Sequence, residues 1–147
     1  MFARLPYNSM ARLYNLLADI AKVDEALLIV KSGGATAEIK SNALKIRQQS
    51  ETGVGWITLG SNDDPAHLHV NPEHVSRAEF VREQKPERIS FSVRFYDESG
   101  ERVLAAFFTR MYDESGCVIP WRERTYEQLR QKYDSQITFE KTAATPH

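Results

Sequence analysis

Ile89, Phe91, Val93 and Phe95 alternate with Ser90, Ser92, Arg94 and Tyr96. Period-two alternation puts one set on each face of a strand, so this stretch is a half-buried β-strand. Asp97-Glu98-Ser99-Gly100 follows as hairpin-turn chemistry, and 103–109 is the partner strand. That partner is almost continuously apolar (Leu104, Ala105, Ala106, Phe107, Phe108), as in a sheet face packed by helices.

Elsewhere the pattern alternates between the two periods. Met10, Leu13, Leu17, Ile20 and Ala21 keep helical spacing, so 10–22 is an amphipathic helix with Ser9 placed to cap it. The apolar run 26–30 is a buried strand, Ser32-Gly33-Gly34 a turn, and 36–39 a returning strand. Leu44, Ile46 and Gln48 alternate with charged and polar residues, so another half-exposed strand is expected there. Gly53–Gly55 breaks the chain before a strand over 55–59. A polar turn, 60–65, leads to a short strand over 66–70, and Asn71-Pro72-Glu73 turns again. The segment 75–83 is β-prone with Ala78, Phe80 and Val81 inward, and 85–88 is a charged loop. A second helix spans 121–133, with Pro120 at its start and Trp121, Leu129 and Tyr133 near one face. Residues 142–147 are expected to fray. Tyr112–Gly116 repeats the Tyr-Asp-Glu-Ser-Gly string of Tyr96–Gly100, which gives two similar turns and no repeat architecture.

The order helix, many strands, helix, with short turns between strands, defines an α+β fold. It is mostly antiparallel β-sheet flanked by an N-terminal and a C-terminal helix. Nothing in the 147 residues marks a linker, so 1–147 is expected to form one domain.

Composition narrows the function. Apolar residues are 41% and charged residues 27%, which is globular. Nineteen basic against twenty acidic residues give a net charge of −1, without the basic excess of a nucleic-acid binder. No apolar run is long enough to cross a membrane, and the N-terminus lacks a signal-peptide core. The lone Cys117 cannot close an internal disulfide and is expected as a small buried residue. The expected location is cytoplasmic.

His67-Leu68-His69-Val70 is the most suggestive segment. On a strand His67 and His69 project together, with Leu68 and Val70 toward the core. Paired neutral imidazoles suit a metal ion or haem iron. Exposed polar residues of a half-buried strand give the same pattern, so spacing alone does not assign a ligand. His74 joins the pair only if the chain folds back. Arg77, Arg94 and Arg110 sit in or beside strands, where guanidinium can hold a carboxylate bidentately; a solvated sheet face accounts for them equally. Trp56, Tyr96 and Phe108 are either core or the lining of a flat apolar ligand. Asp63-Asp64 and Asp97-Glu98 belong to turns. No phosphate loop, dinucleotide fingerprint or nucleophile elbow is present in the sequence.

The chain resembles the haem-utilisation family of ChuX/HutX-like proteins, each similar to one half of the HemS/ChuS-like proteins. The resemblance runs through Gly55-Trp56-Ile57-Thr58-Leu59-Gly60, His67-Leu68-His69-Val70, Val75-Ser76-Arg77-Ala78-Glu79-Phe80-Val81-Arg82-Glu83 and Ser92-Val93-Arg94-Phe95-Tyr96-Asp97-Glu98-Ser99-Gly100. It continues through the strand 103–108 and the helix 126–133. It implies an α+β fold, a homodimer, and haem as the cofactor, in trafficking or iron utilisation. Carried over residue by residue, it places His67 and His69 at the iron; Arg77 and Arg94 are the candidates for the propionates. A non-enzymatic carrier is the leading expectation. A haem-degrading enzyme at the same site and a dimeric interaction module without haem are the alternatives. The N-terminal part is shorter than the family's, and no arginine cluster matches the family's own.

Overall fold

The computed structural model describes residues 7–42, 44–49, 55–61 and 65–140. The expected fraying of 142–147 and the acidic pair Asp63-Asp64 lie outside the described residues, as does most of the 53–55 break.

The N-terminal helix α1 spans Tyr7–Ala21. Ser9 therefore lies inside the first turn, and the described helix starts before the expected cap. Leu13, Leu16, Leu17, Ile20 and Ala21 form its apolar stripe, all at 0–1% exposure. The strands β1 (Ala26–Ser32) and β2 (Ala35–Ser41) form a hairpin about Gly33-Gly34, where Gly33 has φ +57. Then come β3 (Ile46–Gln49), β4 (Trp56–Leu59) and β5 (Leu68–Val70). The long strands β6 (Arg77–Gln84), β7 (Ile89–Tyr96) and β8 (Arg102–Phe108) follow. The chain closes with α2 (Pro120–Tyr133) and β9 (Gln136–Thr138). The short β9 was not anticipated: a three-residue edge strand carries too little alternation to register.

The strands form two antiparallel sheets. The larger has the order β2-β1-β8-β7-β6-β9, the smaller β3-β4-β5. In the larger sheet the register joins Ala78 to Phe95, Phe95 to Leu104, and Ala106 to Leu28 across four strands. These residues share one face and belong to one core with the α1 stripe, with Ile57, Leu59 and Val70 of the small sheet, and with Tyr126 of α2. The helices and the small sheet therefore gather on that face. The opposite face carries Leu27, Val81, Arg94 and Phe107, each half-exposed. Val81 belongs to this second face, against expectation, because strand alternation leaves inward only the even positions Ala78 and Phe80.

Tyr126 is the largest fully buried side chain. Its ring meets Phe80, Phe91 and Phe108 edge-on, with centroids 5.5, 5.3 and 5.1 Å apart. Trp121, expected on the buried face of α2, is instead 49% exposed at the helix start, and Tyr126 takes the central place. Cys117 is exposed rather than buried, because the Asp113 turn carries it outward. The repeated Tyr-Asp-Glu-Ser-Gly strings do fold alike: Asp97 Oδ1 accepts from Ser99 N, Ser99 Oγ and Glu101 N, and Asp113 Oδ1 from Ser115 N, Ser115 Oγ and Cys117 N.

Candidate functional site

The small sheet decides where the histidines point. Ile46, Ile57, Leu59, Leu68 and Val70 pack inward. Alternation then turns Arg47, Trp56, Thr58 and His69 outward, and the register sets Arg47, Thr58 and His69 in one row across β3, β4 and β5. His67 precedes β5, outside the strand expected over 66–70, yet its ring still reaches that of His69. The centroids are 5.0 Å apart and the planes cross at 76°. Both imidazoles are exposed, as is Trp56 at 42%.

Two local constraints hold the pair. Thr58 Oγ1 lies 2.9 Å from His69 Nδ1, and Thr58 itself is 2% exposed, so a buried hydroxyl fixes one ring. Gly60, at φ +91, lies beneath His67: a Cβ there would stand 3.1 Å from both His67 Cβ and the Ala66 carbonyl oxygen. Only glycine meets both demands.

The sequence-predicted arginines are elsewhere. Arg77 and Arg94 lie on the larger sheet, on its helix-free face. Arg94 donates to Glu83 at 2.7 Å and to Ser92 Oγ at 3.1 Å, with its side chain 19% exposed. Arg77 stacks on the Tyr96 ring at 4.0 Å and pairs with Glu79 at 3.4 Å. Arg110 pairs with Glu25. His74 ends a one-turn helix, Pro72–His74, and is exposed. Tyr96 is half-buried and Phe108 is core. Arg47 and Thr58 were missed, because only the strand register reveals that they flank His69.

The donor set limits what can bind. Among the described residues no group of three or more His, Cys, Asp or Glu is placed to hold a metal ion. Among the described residues His67 and His69 offer a bare ion fewer protein ligands than the four of a closed site. An iron already held by a macrocycle needs only an axial nitrogen, and the exposed indole and the guanidinium of Arg47 suit an apolar ring bearing carboxylates. The described residues of this patch fit a haem.

An antiparallel α+β domain with helices on one side of the sheet defines the class. A family model matches residues 14–135, and the chain belongs to the haem-utilisation family of ChuX/HutX-like proteins. Among solved structures it is similar to ChuX, with a TM-score of 0.66 at 11% identity over 87% of this chain and 74% of that one. It is similar to holo-PhuS, a heme-binding protein from Pseudomonas aeruginosa, with a TM-score of 0.63 at 14% identity over 99% of this chain and 38% of that one. It is also similar to ChuS, an E. coli heme oxygenase, with a TM-score of 0.60 at 15% identity over 87% of this chain and 36% of that one. No curated protein sequence matches significantly. No helix among the described residues is long and apolar enough to cross a membrane.

Proposed function

We propose that this chain is a haem-binding protein of intracellular haem trafficking or iron utilisation, with its site on the outer face of the small sheet. The observation that carries the reading is the outward imidazole pair His67 and His69 in one patch with Thr58, Arg47 and Trp56. A heme-binding protein is also what solved relatives of the same fold, ChuX and PhuS, are said to be. In this reading one or both histidines ligate iron, and Arg47 meets a propionate. Arg77 and Arg94, on the helix-free face of the larger sheet and engaged with Glu79 and Glu83, lie outside this patch and take no propionate in this reading. A carrier needs no catalytic residue. The lone Cys117 suits a reducing, cytoplasmic compartment, and 1–147 acts as one haem-utilisation unit.

The test is a difference-spectrum titration with haemin. The wild type should show a saturable Soret shift, one haem per protomer, and the His67→Ala/His69→Ala double variant should lose it. Unchanged binding by the double variant would remove both histidines from the site. No saturable shift in the wild type would favour an interaction module of the same fold.

The fold shared with ChuS, described as a heme oxygenase, favours a second reading, haem degradation at the same site. Adding a reductant to the haem complex separates the two: a stable ferrous spectrum marks a carrier, whereas loss of the Soret band with release of iron marks an enzyme. The protein is further proposed to be a homodimer. The half-exposed apolar residues Leu27, Val81 and Phe107 on the helix-free sheet face support this, because such a face gains from being covered. Sedimentation at micromolar concentration should give a dimer; a monomer would refute it.

A further inference from the structure

We propose that the two histidines divide the work: His67 supplies the single axial ligand, and His69, locked by Thr58, serves as an N–H donor beside it. The inference rests on the haem reading and assigns roles within that same site.

Two histidines can bind one haem iron together only from opposite faces of the macrocycle. A macrocycle ligated by both would lie between the two imidazoles, each bound edge-on through one nitrogen, and would leave the rings no contact with each other. The imidazole centroids are 5.0 Å apart and meet edge to face. Both rings issue from the same side of the same chain segment, two residues apart. One iron therefore takes one of them.

Thr58 Oγ1 and His69 Nδ1 share a hydrogen bond at 2.9 Å. It can run in either direction. If Nδ1–H donates to Thr58, the threonine's own O–H is left without an acceptor among the described residues. Thr58 is 2% exposed, so water does not replace that acceptor. Burying an unmatched hydroxyl donor costs its full desolvation penalty. If Thr58 donates to Nδ1, its donor is matched and only a lone pair stays unused, which is the cheaper state. The neutral imidazole of His69 then carries its proton on Nε2. That nitrogen is then a donor with no lone pair for a metal, on an exposed residue, suited to a propionate or another anionic oxygen.

His67 carries no such commitment. It makes no hydrogen bond among the described residues, and its backbone is held close by Gly60. Either of its nitrogens is free to bind iron. Thr58 is thus a positioning residue: it selects the tautomer of His69 and so leaves ligation to His67.

Long-range 1H–15N correlation spectra of the haem-free protein at pH 8 read the tautomer directly. The wild type should show His69 protonated at Nε2. Thr58→Val, which keeps the shape and removes the hydroxyl, should release it to a tautomer mixture, and Thr58→Ser should restore it. With haemin, His67→Ala should weaken binding by about tenfold or more and abolish the histidine-ligated Soret band. His69→Ala should keep that band at the wild-type position. An Nδ1–H tautomer at His69, or a ligated band that survives His67→Ala and vanishes in His69→Ala, overturns the proposal. If the wild type takes up no haemin, the haem reading and the ligand role fall together, and the tautomer spectra still decide whether Thr58 sets His69.

Discussion

The phenol of Tyr126 donates to the backbone carbonyl of Ser92 at 3.0 Å, joining α2 to the middle of β7 beneath three edge-on phenylalanines. Burial raises the Tyr126 phenol well above the ordinary tyrosine value, so the group stays a neutral donor across the physiological range. Tyr126→Phe keeps the ring contacts and loses one hydrogen bond, so it should cost about 0.5–1.5 kcal/mol in urea unfolding. Tyr126→Ala empties the centre of the core and should cost about 3–5 kcal/mol. Equal costs for the two variants would mean that the hydroxyl, not the ring, anchors the helix.

Asp19 ties the two helices together. Its carboxylate accepts from Lys132 at 2.8 Å and from the Tyr133 hydroxyl at 2.6 Å. Burial alone would raise its pKa, but these two hydrogen bonds and the nearby lysine charges outweigh burial and hold it below the ordinary aspartate value. A depressed folded-state pKa contributes stability that is complete above the unfolded value of about 3.9 and is lost as pH falls through the folded value. Asp19→Asn should therefore destabilise by about 1–2 kcal/mol at pH 7, discounted for the exposed Lys132. The gap between variant and wild type should narrow below about pH 4. A gap independent of pH would show that the carboxylate charge is not what holds α1 to α2.

Much of this fold was legible because its strands obey a strict period. Ile89 through Phe95 and the turn at Asp97 read correctly, since alternation and turn chemistry are local. Trp121 misled because hydrophobicity does not distinguish an exposed aromatic at a helix end from Tyr126 one and a half turns later; only the placement of Phe80, Phe91 and Phe108 does. The site was half visible. The spacing of His67 and His69 put both rings on one side, but the row Arg47–Thr58–His69 depends on how β3, β4 and β5 pair, and pairing register is a tertiary fact. Two separate sheets, likewise, cannot be told from one by alternation alone.

The twin turns offer a local test. In each, one aspartate oxygen collects three donors, and these bonds lower the pKa of Asp97 and of Asp113, led in both by the hydroxyl two residues on. Asp97→Ala should remove hydrogen-exchange protection at the Ser99 and Glu101 amides while the centre of β7 keeps its own. Asp113→Ala should do the same at Ser115 and Cys117. Loss of protection through the whole of β7 and β8 in Asp97→Ala would instead make that turn a determinant of the hairpin register.

Gly60 connects stability to the candidate site most directly. At φ +91 an alanine is strained wherever it sits, and here its Cβ would also press on the Ala66 carbonyl and the His67 Cβ, both backbone or near-backbone atoms that cannot swing aside. Gly60→Ala should therefore cost more than about 1 kcal/mol in thermal or urea unfolding. It should also shift the His67 resonances while leaving the Thr58–His69 hydrogen bond in place, because that bond is fixed by the β4–β5 register two residues away. Haemin affinity should fall in Gly60→Ala even under conditions where the variant is fully folded. Retained affinity together with displaced His67 resonances would separate His67 from the iron.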